Sequence, residues 1–233
     1  MHTLLLEPSA HFTGDLMVGL LCDLGVKPST FEWELGKVDL GVFHLHFDRR
    51  YEGEAHGVHF GIHTGAVHTH DQDAAAGTSH ETDVGSHADG EKVQEREHHR
   101  HLGNDDHERR DHDLAAAQVR ERLVTSELSD ALKARVLTVF DRFCAHEAKV
   151  LDANAQELTF DEDSALSVGA RIVCACVGLA ELGIEYVRAA EPPDESVAAG
   201  ILAVYRRADG AVPAPSEAKV GYGIGDEGWL RGA

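Results

Sequence analysis

Apolar and polar positions along this chain change period several times, and each change marks an element. Thr3 to Leu6 is a short apolar run that predicts a strand, and Pro8 to Gly14 reads as a loop. Leu16, Met17, Leu20, Leu21 and Leu24 then recur at helical spacing, with Asp15 at the positive end of that helix and Gly25 as its stop. Such a loop running into a helix N-terminus suits an anion or ligand, and equally an ordinary turn and cap. Two alternating stretches follow, Phe43 to Asp48 and Val58 to His63, joined by a polar, glycine-containing connection. They predict a hairpin with apolar side chains on one face and histidines on the other.

Beyond a polar middle, helical order is expected to resume near Leu114, and a second helix to start at Ser129, whose hydroxyl suits an N-cap. Leu132, Val136, Val139, Phe140 and Phe143 form its core stripe. A third helix is predicted from Asp163 to Leu182 with Gly183 as its stop, its small residues allowing close packing. After Tyr186 the chain turns rich in proline and glycine, with Ile201 to Tyr205 read as a last strand. These pieces predict an α+β fold: a small, mostly antiparallel sheet with helices packed on one side.

The middle differs in kind. Residues 66–112 are dominated by Ala, Gly, Ser, Thr, Asp, Glu and His, a composition too poor in large apolar side chains to offset ordering entropy. The expected organisation is therefore one α+β domain, contributed by 1–65 and 113–233, carrying a disordered insertion at 66–112.

Composition sharpens the chemistry. Of seventeen histidines, fourteen lie between His44 and His112, mixed with Asp and Glu. Imidazole is the commonest side-chain ligand for nickel, zinc and copper, and carboxylates can complete such a shell, so a divalent transition metal is the expected partner. His44 and His46, two residues apart on a strand, are about 6.6 Å apart on one face and could be joined by a cross-strand histidine. His59 and His63 are about 13 Å apart by the same rise, too far to share an ion. In the insertion, His68, His70, His98, His99 and His101 offer many two-ligand combinations, the pattern of a broad-selectivity reservoir or relay. A solvated polar face and a solvated tract remain the alternatives for the hairpin and the insertion.

The formal net charge of -20, from 41 acidic and 21 basic residues, opposes phosphate backbones and anionic membranes, so neither nucleic acid nor membrane is an expected partner. Residues Leu4 to Leu6 make too short an apolar run for a signal peptide, and no run is read as spanning a bilayer, which predicts a cytoplasmic location. Cys22, Cys144, Cys174 and Cys176 sit in apolar helical patterns and read as reduced, structural residues. Cys174 and Cys176, about 200° apart around a helix, could chelate together only if it unwound.

The order of these pieces resembles the nickel-insertion proteins of lactate racemase maturation, the LarC family. Leu6-Glu7-Pro8, Gly14-Asp15-Leu16 and Leu24-Gly25-Val26 carry the resemblance at the start. The histidine-rich insertion after a hairpin, Glu147-Ala148-Lys149-Val150, Val212-Pro213-Ala214-Pro215 and Gly221-Tyr222-Gly223 continue it in the same order. It implies nickel handling: family members insert nickel into a sulfur-bearing pyridinium mononucleotide, using CTP. Departures are concentrated in two motifs. In the opening loop Glu7, Ser9, Ala10, His11, Phe12 and Thr13 replace most of the family pattern, leaving Pro8, Gly14 and Asp15. A later motif falls on Phe160 to Arg171 and keeps only Phe160, Glu162 and Ala165, with Asp161 in place of a histidine and Ser167 and Arg171 in place of acids.

The resemblance thus implies Asp15 and Glu162 as surviving polar groups of a catalytic site, and a divergent chain without the family's C-terminal nucleotide-binding domain, so that CTP use is not expected of this chain alone. The leading expectation is a nickel-binding protein or metallochaperone loaded through His44, His46, His68, His70, His98, His99 and His101. The alternatives are an enzyme subunit that inserts nickel with a separate nucleotide-binding partner, and a degenerate, non-catalytic paralogue. Nickel-dependent enzyme maturation proteins are the other expected partners.

Overall fold

A computed structural model describes residues 2–8, 11–64, 113–190, 193, 195–206, 219–226 and 228–233. In chain order the elements are β1 (His2–Pro8), α1 (Gly14–Asp23), α2 (Pro28–Leu35), β2 (Phe43–Glu52), β3 (Ala55–Thr64), β4 (Asp113–Ala115), α3 (Ala116–Thr125), α4 (Asp130–Val150), β5 (Thr159–Asp161), α5 (Glu162–Glu181), β6 (Ile184–Ala189), α6 (Ser196–Tyr205), β7 (Gly221–Gly225) and β8 (Gly228–Gly232). Six strands form one sheet in the order β2-β3-β7-β8-β1-β6, and β4 pairs with β5 separately. The antiparallel pairs β2/β3, β7/β8 and β8/β1 outnumber the parallel pairs β3/β7 and β1/β6. The fold is α+β, as the hydrophobic pattern predicts.

Strand alternation sets the two faces of the sheet. Leu4, Leu6, Val58, Phe60, Val187 and Leu230 are buried on the inner face. On it α1 lies across β7 and β3, and α5 packs behind α1. The approach of α1 is close because glycine permits it: a Cβ at Gly223 would lie 1.9 Å from the Leu16 carbonyl oxygen, and one at Gly19 would lie 2.3 Å from that of Val58. Asp23, at the end of α1, accepts from the Tyr222 N–H at 3.0 Å and pairs with Arg49 at 2.7 Å, tying the helix to β7 and β2.

Several sequence expectations hold. Ser129 caps α4, and its five stripe residues are buried in the core. The helix stops at Gly25 and Gly183 carry positive φ. Others are corrected. Ile201 to Tyr205 is the second half of α6, not a strand. Val197, Ala198, Ile201 and Tyr205 are buried at helical spacing, and Gly200 lies against α4. Gly221 to Gly225, in the proline- and glycine-rich stretch beyond the expected last strand, is a central strand, and its glycines are what admit α1. The stretch from Leu114 begins with β4 before α3 forms, and α2 was not anticipated. The connection between the hairpin strands is shorter than predicted: β2 and β3 run on to the turn at Gly53-Glu54.

One composition reading also changes. By length and hydropathy α5 is apolar enough to cross a membrane, with a mean hydropathy of 1.5 over its best window. That window is 67% buried inside the fold, and Ala170 to Cys176 other than Arg171 are sealed in the core, which accounts for its composition. The 66–112 insertion lies outside the described residues.

Candidate functional site

Two places in the described fold carry the chemistry that the sequence points to: the outer face of the β2/β3 hairpin, and the loop entering α1.

On the hairpin, β2 forms one edge of the sheet. Phe43, Leu45 and Phe47 turn inward and pack partly against the core, so His44 and His46 face outward and are exposed. The antiparallel register places His63 directly opposite His44, Gly61 opposite His46, and His59 opposite Asp48. His63 is therefore the cross-strand histidine. Its ring meets that of His46 edge-on, with centroids 5.0 Å apart. A Cβ at Gly61 would stand 3.8 Å from His59 Cε1 and 3.9 Å from the His46 Cβ, so the His59 ring also reaches this part of the face. Among the described residues, no three His, Cys, Asp or Glu side chains already converge on a metal position. His68, His70, His98, His99 and His101 lie outside the described residues, in the segment that leaves β3 one residue beyond His63–Thr64.

At the loop, Thr13 caps α1 by accepting from the Leu16 N–H at 3.3 Å. Asp15, in the first turn, accepts from Arg171 Nε at 2.7 Å, and both side chains are about a third exposed or less buried than the core around them. The pairing gives Arg171 a definite role. Where the family resemblance expects an acid, a guanidinium neutralises Asp15 and occupies one of its oxygens. Glu162, the first residue of α5, is exposed and lies nine residues, about 13.5 Å of helix rise, from Arg171. Among the described residues, no hydrogen bond or ion pair links Glu162 to the Asp15–Arg171 pair. Asp161, beside it, is committed as the α5 N-cap, and its hydrogen bond to Ser164 holds its carboxyl below the ordinary range.

Sequence reasoning missed Glu195. Its carboxylate caps α6, with Oε1 accepting from the Val197 N–H at 2.9 Å and Oε2 from the Ala198 N–H at 2.9 Å, and Oε2 also accepts from the Gly14 N–H at 3.1 Å. An internal anion therefore fills the position that the loop-then-helix pattern suggested for an external one. The neighbouring Ser196 hydroxyl is 2.9 Å from His146 Nδ1, joining α4 to the same corner. A glutamate just before an apolar run was the available signal. Glu7 is likewise occupied, pairing with its cross-strand partner Arg231 at 2.6 Å.

The cysteines are free thiols. Burial pushes Cys22 up to about 11 and Cys144, Cys174 and Cys176 up to about 12, so all four are neutral thiols near neutral pH and poor metal ligands.

Compared with known families, the chain matches the model described as "Nickel insertion protein" over residues 4–221. The chain belongs to the nickel insertion protein family. It is 26% identical, over 95% of its own length and 44% of the relative's, to a pyridinium-3,5-bisthiocarboxylic acid mononucleotide nickel insertion protein of Staphylococcus epidermidis. It is 27% identical to the protein of the same name in Lactiplantibacillus plantarum, over 97% of this chain and 47% of that one. A putative nickel insertion protein of Synechococcus is 36% identical over 33% of this chain and 19% of its own. The chain thus spans less than half the length of the full-coverage relatives. No solved structure matches it. For a nickel insertion family member, the hairpin offers imidazole donors suited to the metal, whereas the α1 loop offers a carboxylate already paired with a cation.

Proposed function

We propose that this chain binds Ni²⁺ as cargo for insertion into an acceptor, using His44 and His46 on the hairpin together with His68, His70, His98, His99 and His101 in the segment that follows it. The observation that carries this reading is the family match over residues 4–221. The exposed histidines of the hairpin, directly preceding the histidine-rich segment, supply a donor set that nickel accepts. Neutral imidazoles are the binding form, so uptake competes with protonation and weakens as pH falls.

The acceptor proposed is the one named in the relatives, a pyridinium bisthiocarboxylic acid mononucleotide, with nickel-dependent enzyme maturation downstream. The rival reading places catalysis at Asp15 and Glu162. The Arg171 guanidinium bonded to Asp15 favours the binding reading over it.

The test is calorimetric titration of the tag-free chain with Ni²⁺, beside a variant carrying alanine at His68, His70, His98, His99 and His101. The proposal expects more than one Ni²⁺ per chain and a clear fall in stoichiometry in the variant. Unchanged stoichiometry and affinity would remove the reservoir from the account.

A further inference from the structure

We propose that His44, His46 and His63 form a three-imidazole site for a divalent transition metal on the outer face of the β2/β3 hairpin, with open coordination positions through which the ion exchanges. This rests on the nickel-binding reading and adds to it a defined site and a ligand, His63, that the sequence did not single out.

The construction follows from alternation and register. His44 and His46 share the outer face because they are two apart on one strand, and His63 joins them because the antiparallel register sets it opposite His44. Residues directly opposite have Cβ atoms about 4.5–5.5 Å apart, and diagonal ones remain within reach of long side chains. His46 and His63 form such a diagonal pair, and their rings already touch at 5.0 Å between centroids. Gly61, opposite His46, adds no side chain of its own to this patch. All three histidines are exposed, so the rings rotate onto an ion without disturbing the core, which the hairpin meets through Phe43, Leu45, Phe47 and Phe60 on its other face.

Three imidazoles with water in the remaining positions is a ligand set that leaves room for an incoming donor, in contrast to closed four-ligand structural sites. Nickel and zinc both accept it. Asp48, next along the same face of β2, places a carboxylate beside the trio and adds negative charge where a cation binds.

The experiment uses the full chain. Histidine acylation by diethyl pyrocarbonate, read peptide by peptide by mass spectrometry, is compared with and without saturating Ni²⁺. His56, exposed at the turn end of β3, is the internal reference. The expected result is at least fivefold protection of His44, His46 and His63 together, with His56 unchanged. In His63→Ala, whose fold is checked by circular dichroism, protection of His44 and His46 should drop toward the reference. If the three histidines react equally with and without Ni²⁺ while those between His68 and His101 are protected, the hairpin site is overturned and the broader nickel-binding reading stands. If no histidine in the chain is protected, both fail.

Discussion

Replacing Glu195 with alanine removes one carboxylate that holds three backbone N–H groups, two at the start of α6 and one at the start of α1. Loss of a helix N-cap costs about 1 kcal/mol, within a range of roughly 0.5–2. Gly14 is buried, so its freed N–H adds the desolvation cost of an unsatisfied donor, about 1–3 kcal/mol. Together these predict a loss of about 2–4 kcal/mol, and for a domain of this size each kcal/mol lowers Tm by about 2–4 °C. Urea unfolding followed by circular dichroism, without metal, measures it directly. Glu195→Gln keeps a single acceptor oxygen and should lose roughly half as much. A change of less than about 0.5 kcal/mol in Glu195→Ala would refute the idea that this carboxylate joins the two helix starts. So would equal losses in the two variants.

Other consequences are as definite. Gly223→Ala sets a Cβ against the Leu16 carbonyl and should destabilise by more than the roughly 1–3 kcal/mol of ordinary overpacking, seen as loss of soluble, folded chain in expression and circular dichroism. Arg171→Ala should cost only about 1 kcal/mol in urea unfolding, because the Asp15 pair is partly exposed and screened. Thiol reactivity toward Ellman's reagent should be slow in the native chain at neutral pH. Burial raises the pKa of each thiol and so depletes the reactive thiolate; reactivity should rise with pH, Cys22 first, and all four thiols should react at once in urea.

How legible the fold was depended on how much a segment's own pattern had to say. The α4 stripe from Leu132 to Phe143 and the alternation around His44 and His46 each repeat a period long enough to fix both the element and its buried face. Ile201 to Tyr205 is too short for that, and a five-residue apolar run fits a strand as well as the end of a helix. The Gly221 to Gly225 strand was hidden for another reason: its glycines are there for the close approach of α1, a tertiary fact that local propensity cannot express. At the site, pattern gave the outward face of the hairpin but not the register, so it foresaw a cross-strand histidine without identifying His63. Asp15 was recognised as a polar group at a helix start, while its partner Arg171, far away in sequence, could be read only as a reversed charge.

Equilibrium dialysis of the tag-free chain against buffered Ni²⁺, with bound metal counted by mass spectrometry, tests the central claim most directly. The account predicts more than one Ni²⁺ per chain. Most of it should be lost when His44, His46, His68, His70, His98, His99 and His101 are replaced together by alanine. No Ni²⁺ retained by the native chain, or the same amount retained by the substituted one, would contradict it.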